Sequence, residues 1–228
     1  MSVSGSQYEN TWLVIPLYNE EPVIGDVVQR VREVFPNVVS VDDGSTDDSA
    51  RQAEQAGAVV IRHPFNLGQG AAIQTGIDFV LRQPETKYLV TFDADGQHRV
   101  EDAASMVDQA ESQNLGFILG SRFLKGPSPV GWSKKAVLKA AAAIARYQTG
   151  LRLTDAHDGL RVIRRDAAEQ INLTQNRMAH ASEIVSQLAS TGLPWSEYPV
   201  DIRYTEYSKA KGQSLLNSVN ILVDLVMR

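Results

Sequence analysis

The first regular pattern is Trp12-Leu13-Val14-Ile15, an unbroken apolar run that Pro16 stops, which predicts a strand buried on both faces. Glu21 to Phe35 then carries Val23, Val27, Val31 and Val34 at helical spacing, with Pro22 near the start, where its missing N–H costs nothing. Val38 to Val41 is strand-like and runs into Asp42-Asp43-Gly44. Thr46 to Ala56 reads as a helix capped by Ser45 or Thr46. Strands at Ala58 to Ile61, Tyr88 to Phe92 and Phe117 to Leu119 alternate with helices at Gly70 to Leu81 and Val100 to Ser112. Alternation of this kind implies right-handed crossovers and a largely parallel sheet covered on both faces.

The second half is less regular. Ser133 to Thr149 predicts a helix, Gly159 to Ile163 a short strand, Ala179 to Ser190 a helix and Trp195 to Tyr204 an extended segment. Ser214 to Met227 predicts a last amphipathic helix, with Leu215, Leu216, Val219, Leu222, Val223, Val226 and Met227 in one broad stripe. No repeat, low-complexity tract or Pro/Gly/Ser linker divides the chain, so a single α/β domain over 1–228 is expected. Its first part is 11–121, its second 122–212, and the last helix 213–228.

Apolar residues make up 43% of the chain, enough for a sizeable core, which excludes disordered and collagen-like classes. The absence of cysteine excludes disulfides, thiolate zinc sites and cysteine nucleophiles. The net charge of −5 is unevenly spread, with 10 basic and 2 acidic residues between 122 and 165. The overall acidity argues against nucleic-acid binding, while the basic middle suits a phosphate or lipid head group, or is simply a solvated helix face. The polar start lacks a signal-peptide pattern, and no apolar run reaches the ~18 residues of a membrane span.

Polar clusters fall just after the predicted strands, where open α/β sheets bind ligands. In Phe92-Asp93-Ala94-Asp95-Gly96-Gln97, carboxylates two residues apart can converge on a hard cation, with Gln97 adding an amide oxygen. The same residues also suit an Asx turn. Asp42 and Asp43 can accept hydrogen bonds from a base and a ribose, or belong to the cap of the next helix. Asn66-Leu67-Gly68-Gln69-Gly70-Ala71-Ala72 precedes a helix; its small residues let a diphosphate approach free N–H donors. It lacks the Lys-Ser/Thr of a P-loop, so an ATPase reading fails.

Taken together, Ile15-Pro16-Leu17-Tyr18-Asn19-Glu20-Glu21, Val41 to Asp47, Asn66 to Gly70 and Asp93 to Gln97 resemble family-2 glycosyltransferases of the GT-A fold. Asp93-Ala94-Asp95-Gly96-Gln97 and Gly120-Ser121-Arg122 are similar to the dolichyl- and polyprenyl-phosphate sugar synthase branch. The likeness continues more weakly through Asp155 to Arg161, where Asp158 replaces the Ser or Asn frequent in relatives.

The resemblance implies a mixed, mainly parallel sheet flanked by helices. It further implies that Pro16, Tyr18, Glu20 and Asp42 or Asp43 line a nucleoside pocket, with Gly68 and Gly70 at the diphosphate. Asp93, Ala94, Asp95 and Gln97 would form the segment that holds Mg2+ or Mn2+. Arg122 and Arg161 would lie near the donor and acceptor phosphates, and Lys211 on a loop that closes on the diphosphate. The implied reaction is inverting transfer from a nucleotide-diphosphate sugar to a polyprenyl phosphate or lipid-linked acceptor, at the inner face of the cytoplasmic membrane.

A hydroxyl acceptor on a glycan or small molecule is the alternative, and it needs a general base. The candidates are Asp155, His157, Asp158, His180 and Glu183. A non-catalytic nucleotide-sugar-binding protein on the same fold is the third reading. The resemblance implies that membrane-anchored relatives carry membrane spans after the catalytic domain. A separate membrane protein as anchor, or a homodimer through the last helix, is the partner this leaves open.

Overall fold

The computed structural model describes residues 7–124, 150–155, 158–176 and 179–203. In chain order these form β1 (Thr11–Leu17), α1 (Glu21–Arg32), β2 (Asn37–Asp42), α2 (Ser49–Gln55), β3 (Val59–Arg62), α3 (Gln69–Leu81) and β4 (Tyr88–Thr91). There follow α4 (Val100–Ser112), β5 (Phe117–Ser121), β6 (Arg161–Arg164), α5 (Arg165–Ala168), α6 (His180–Ser190) and β7 (Trp195–Pro199). The helices expected at 133–149 and 214–227 lie outside the described residues.

The seven strands form one sheet in the order β3-β2-β1-β4-β6-β5-β7. β1, β2, β3 and β4 are mutually parallel, β6 is antiparallel to both β4 and β5, and β7 is parallel to β5. The sheet is thus mixed and mainly parallel. β1 explains why its sequence reads as one apolar run. Leu13, Ile15 and Leu17 face a core shared with Ile24, Val27 and Val31 of α1 and Met106 of α4. Val14 faces the opposite core, with Ile73, Ile77 and Val80 of α3 and Ile184 and Leu188 of α6. Every one of these side chains is buried, and each such residue contributes about 1.5–3 kcal/mol of transfer free energy. At Gly76 an added Cβ would lie 2.2 Å from Val14 Cγ1, so glycine there lets α3 approach the sheet closely.

Two local expectations are corrected. β1 does not stop at Pro16 but continues to Leu17, with Pro16 paired to Val41. Its ladder with β4 ends at Val14, so the N–H that Pro16 lacks faces no partner on that side. Neither Ser45 nor Thr46 caps α2, which starts at Ser49 after Asp48. Ser45 Oγ instead accepts the Asn19 N–H at 2.9 Å, and the Thr46 N–H donates to Asn19 Oδ1 at 2.9 Å. The loops after β1 and β2 leave adjacent strands side by side, so their polar groups satisfy each other before the helix begins.

Candidate active site

From β1 the chain builds outward through β2 to β3, then returns to place β4 on the other side of β1. The order therefore reverses between β1 and β4, and at their carboxyl ends such sheets leave a crevice. A cleft of about 440 Å³ opens there. Its walls are Pro16, Leu17, Tyr18 and Glu20 after β1, Asp43 after β2, Asn66, Gly68, Gln69 and Ala72 after β3, and Asp93, Ala94 and Asp95 after β4. Asn19, at φ +52°, turns the chain between Tyr18 and Glu20. Asparagine tolerates that left-handed conformation better than most residues.

The two neighbouring aspartates have separate fates. Asp42 has a fully buried side chain and does not line the cleft; its Oδ1 accepts the Ser45 N–H at 3.0 Å and its Oδ2 accepts from Arg62 Nε at 3.0 Å. Asp43 is the one that reaches the cleft wall. Its Oδ1 accepts the Leu67 N–H at 2.9 Å, and its Oδ2 the Gly68 N–H at 2.7 Å. Period-two alternation along β2 separates them, and no rule of spacing told which would face the ligand.

The glycines of the loop before α3 answer to protein packing as well as to any ligand. A Cβ on Gly68, which sits at φ +99°, would meet Asn176 O at 2.0 Å, and one on Gly70 would meet Gln175 O at 2.0 Å and His180 Cβ at 2.8 Å. Gly68 still borders the cleft, whereas Gly70 lies against Gln175 and His180 and does not. The small size of Gly70 is thus required by close packing against Gln175 and His180.

Asp93 and Asp95 lie together on the wall opposite Asp43. His98 Nε2 pairs with Asp93 Oδ2 at 2.9 Å, and Gln69 Nε2 reaches Asp93 Oδ1 from α3 at 3.5 Å. Burial opposes the charged form of Asp93, but the His98 hydrogen bond and charge outweigh it and hold the carboxyl below its usual range. Asp95 goes the other way: burial, then repulsion from Asp93, push it up. Burial also works against His98 as a cation, yet the bond to Asp93 and the charges of Asp93, Asp158 and Asp95 push it up to about 9.

Two carboxylates that repel each other on one wall of a cleft fit a cation shared between them. Among the described residues no group of three His, Cys, Asp or Glu is set to enclose a metal. The pair thus suits a hard cation that draws its other ligands from substrate oxygens and water, as Mg2+ and Mn2+ do. Gln97 is buried and is not on the cleft wall; its N–H donates to Asp95 Oδ1 at 3.0 Å and its C=O accepts from Arg203 N at 2.9 Å.

Beside the carboxylate pair lies a second polar cluster that the antiparallel strand β6 carries in. Arg122 grips Asp155 with two bonds, Nε to Oδ2 at 2.6 Å and Nη2 to Oδ1 at 2.8 Å, and its Nε lies 3.8 Å from Asp158 Oδ2. Asp158 Oδ1 accepts the Leu160 N–H at 2.9 Å, and burial pushes this carboxyl up against the pull of His98 and Arg122. Arg161 is buried within reach of the Asp93, Asp158 and Asp155 charges; burial draws it below the ordinary guanidinium value. Glu183 is spent on its own loop, accepting from the N–H groups of Thr174 and Gln175 and from Thr174 Oγ1. His180 is buried at the start of α6 against Gly70. His157 and Lys211 lie outside the described residues.

Three contributors escaped the sequence reading. His98 carried a signal, since it directly follows the Asp-x-Asp-Gly-Gln run. Glu197 on β7 and His63 after β3 carried none. Glu197 Oε1 accepts from Thr154 N at 2.8 Å and Asp155 N at 3.2 Å, seating the residue that holds Arg122.

A parallel half-sheet, a pair of aspartates at the rim of its fourth strand and antiparallel pairing beside it make up the GT-A arrangement of glycosyltransferases. The family model described as "Glycosyl transferase family 2" matches residues 12–171, and the chain belongs to that family. It is 29% identical to the UDP-N-acetylglucosamine–dolichyl-phosphate N-acetylglucosaminyltransferase of Methanococcus voltae, over 95% of this chain and 94% of that one. It is also 29% identical to the polyprenol monophosphomannose synthase of Mycolicibacterium smegmatis, over 93% and 83%. The fold is similar to glucosyl-3-phosphoglycerate synthase from Mycobacterium tuberculosis, in a crystal structure with Mn2+, UDP and phosphoglyceric acid. That match has a TM-score of 0.68 at 15% identity, covering 95% of this chain and 78% of the other.

Proposed function

We propose that this glycosyltransferase moves a sugar from a nucleoside-diphosphate sugar to a polyprenyl phosphate, with inversion at the anomeric carbon. The cleft at the β1/β4 switch point takes the donor: Tyr18 and Asp43 face the nucleoside, and the loop from Asn66 to Gln69 faces the diphosphate. Asp93 and Asp95 would hold Mg2+ or Mn2+, which supplies positive charge to the departing diphosphate. The chain is read as one functional domain over 1–228, with 11–121 serving the donor and 122–212 the acceptor. A peripheral position at the inner membrane face follows from a lipid acceptor; among the described residues no helix is long and apolar enough to cross a membrane. A membrane-protein anchor and a homodimer belong to the same proposal.

The observation that bears on the choice of acceptor is the occupation of three of the five candidate bases. Both oxygens of Asp155 are bonded to Arg122, Asp158 is buried and bonded to Leu160, and Glu183 is consumed by Thr174 and Gln175. A hydroxyl acceptor must lose its proton to such a group, whereas a phosphate monoester arrives already ionised. Its oxygen attacks the anomeric carbon from the face opposite the diphosphate. The bond from that carbon to the diphosphate oxygen breaks, and its electron pair leaves with the nucleoside diphosphate. In this reading Arg122 and Arg161 offset the charge of the incoming phosphate, in a site whose low dielectric strengthens the effect. The names of the two relatives, both transferases to or synthases of lipid-linked monophosphates, support the same acceptor.

The test incubates the protein with Mn2+ and UDP-, GDP- or dTDP-sugars and measures nucleotide release with and without polyprenyl phosphate. Release stimulated by the lipid phosphate is expected, and Asp95→Ala should abolish it while leaving the fold intact. Stimulation only by a hydroxyl acceptor would overturn the acceptor assignment, and no release with any donor would overturn the activity.

A further inference from the structure

Behind the donor cleft runs a chain of three side chains that the reaction scheme leaves unused. His63 Nδ1 lies 2.7 Å from Asp43 Oδ1, and His63 Nε2 lies 2.9 Å from Thr75 Oγ1 on α3. The His63 side chain is only 9% exposed and that of Asp43 4%. The sequence Asp–His–Thr copies the order of a hydrolytic triad, but the hydroxyl end is in the wrong place. Thr75 lies in the middle of α3 and does not line the cleft, while the carboxylate end does. In a nucleophilic triad the hydroxyl meets substrate and the acid is buried; here the polarity is reversed.

We propose that His63 and Thr75 are positioning residues for the donor site, which fix the carboxylate of Asp43 toward the nucleoside. An ionised carboxylate has about four acceptor positions. Three are taken: the Leu67 N–H and His63 on Oδ1, and the Gly68 N–H on Oδ2. The position left, on the oxygen that also holds the glycine loop, is available to an N–H or O–H of the nucleoside. Thr75 sets the imidazole's orientation through Nε2, so that the Nδ1–H donates to Asp43, the same second-partner logic that orients histidines elsewhere. The His63 main chain is anchored as well, its N–H donating to Asp42 O at 2.8 Å. The relay therefore ties base recognition to the loop from Asn66 to Gln69, which faces the diphosphate, through one carboxylate.

The inference rests on the donor-site reading above, and the measurement separates the two. UDP and GDP are titrated by calorimetry in Mn2+ against the wild-type protein and Thr75→Val, which keeps the side-chain volume and removes the hydroxyl. Loss of one orienting hydrogen bond should weaken the better nucleotide about five- to tenfold. In turnover, donor KM should rise by the same factor with kcat unchanged, and Thr75→Ser should restore both. His63→Gln, a second route to the same loss, should weaken binding at least as much. Wild-type affinity in folded Thr75→Val and His63→Gln overturns the inference alone. Failure of the wild-type protein to bind either nucleotide overturns the donor-site reading and the inference with it.

Discussion

Gly159 is the point where the segment before β6 touches Asp93, and a single methyl group there tests the reading of the cleft. An ideal Cβ at 159 would lie 2.2 Å from Asp93 Oδ2, 2.7 Å from Asp93 Cγ and 2.8 Å from Asp93 Oδ1. An ordinary carbon–oxygen contact is about 3.5 Å, so something must retreat by about 1 Å. The backbone is pinned, because the Gly159 C=O accepts from Thr91 Oγ1 at 2.7 Å. Gly159 is not among the glycines with positive φ, so alanine brings no backbone strain of its own. The carboxylate of Asp93 is what gives way, and with it the bond to His98.

Overpacking of this size destabilises by about 1–3 kcal/mol, which a folded domain survives. The functional cost is larger, since a misplacement of about 1 Å at the reacting centre can lower turnover by about 10². Gly159→Ala should therefore fold, melt a few degrees lower, bind Mn2+ at least tenfold more weakly in the presence of nucleotide, and turn over about a hundredfold more slowly. Gly25→Ala on α1 is the control, because its Cβ would meet only Gln52 Oε1, at 3.6 Å. Wild-type metal affinity and turnover in Gly159→Ala would refute the argument that Asp93 is a ligand held in place by this contact.

Other substitutions test neighbouring parts of the structure. Ser40 Oγ is buried on β2 without a hydrogen-bond partner among the described residues, so Ser40→Ala should raise stability to urea by about 1 kcal/mol and leave activity unchanged. Glu197→Ala strips acceptors from the Thr154 and Asp155 N–H groups and should cost about 2 kcal/mol and slow turnover through Arg122, whereas Glu197→Gln, which keeps Oε1, should recover most of both. In the metal-free protein His98 is pushed up to about 9 by Asp93, so its ionic contribution to stability is complete below about pH 6.5 and is lost as pH rises through 9. The melting temperature of the metal-free protein should therefore fall between pH 7 and 9.5, and His98→Gln should flatten that slope.

Where local periodicity and tertiary burial agree, the elements were legible from the chain. α4 spans Val100–Ser112 as its spacing predicts, because its apolar residues all fall on the single face that meets the sheet. The cleft-lining strand ends were legible too, since polar clusters interrupt apolar runs at Asn19, Asp42 and Asp93. What stayed hidden depends on partners far along the chain. Pro16 looks like a stop until the missing β4 partner beyond Val14 is known. Ser45 looks like a cap until Asn19 claims its hydroxyl. Gly70 looks like a phosphate-binding glycine until Gln175 O arrives 105 positions later to fill the space. Glu183 looks like a base until Thr174 and Gln175 donate to it. In each case the residue type was informative and its partner was not.

Charge at the cleft rim yields a last prediction. Asp93, Asp95, Asp155 and Asp158 interact with Arg122, Arg161 and the cationic His98, and Glu20 adds its charge from across the cleft. The rim without metal therefore holds an excess of negative charge, and Asp95, raised by burial and by Asp93, registers it directly. A nucleoside diphosphate brought to that rim is repelled, and repulsion at close range in a partly buried site is little screened by salt. The donor is expected to enter with its cation rather than ahead of it. UDP or GDP affinity measured in EDTA should fall more than tenfold below that in Mn2+, and Asp95→Asn, which removes one of the opposing charges, should recover part of the loss in EDTA while losing the response to Mn2+. Equal affinity in EDTA and Mn2+ would mean that the aspartate pair does not face the diphosphate, whatever else it holds.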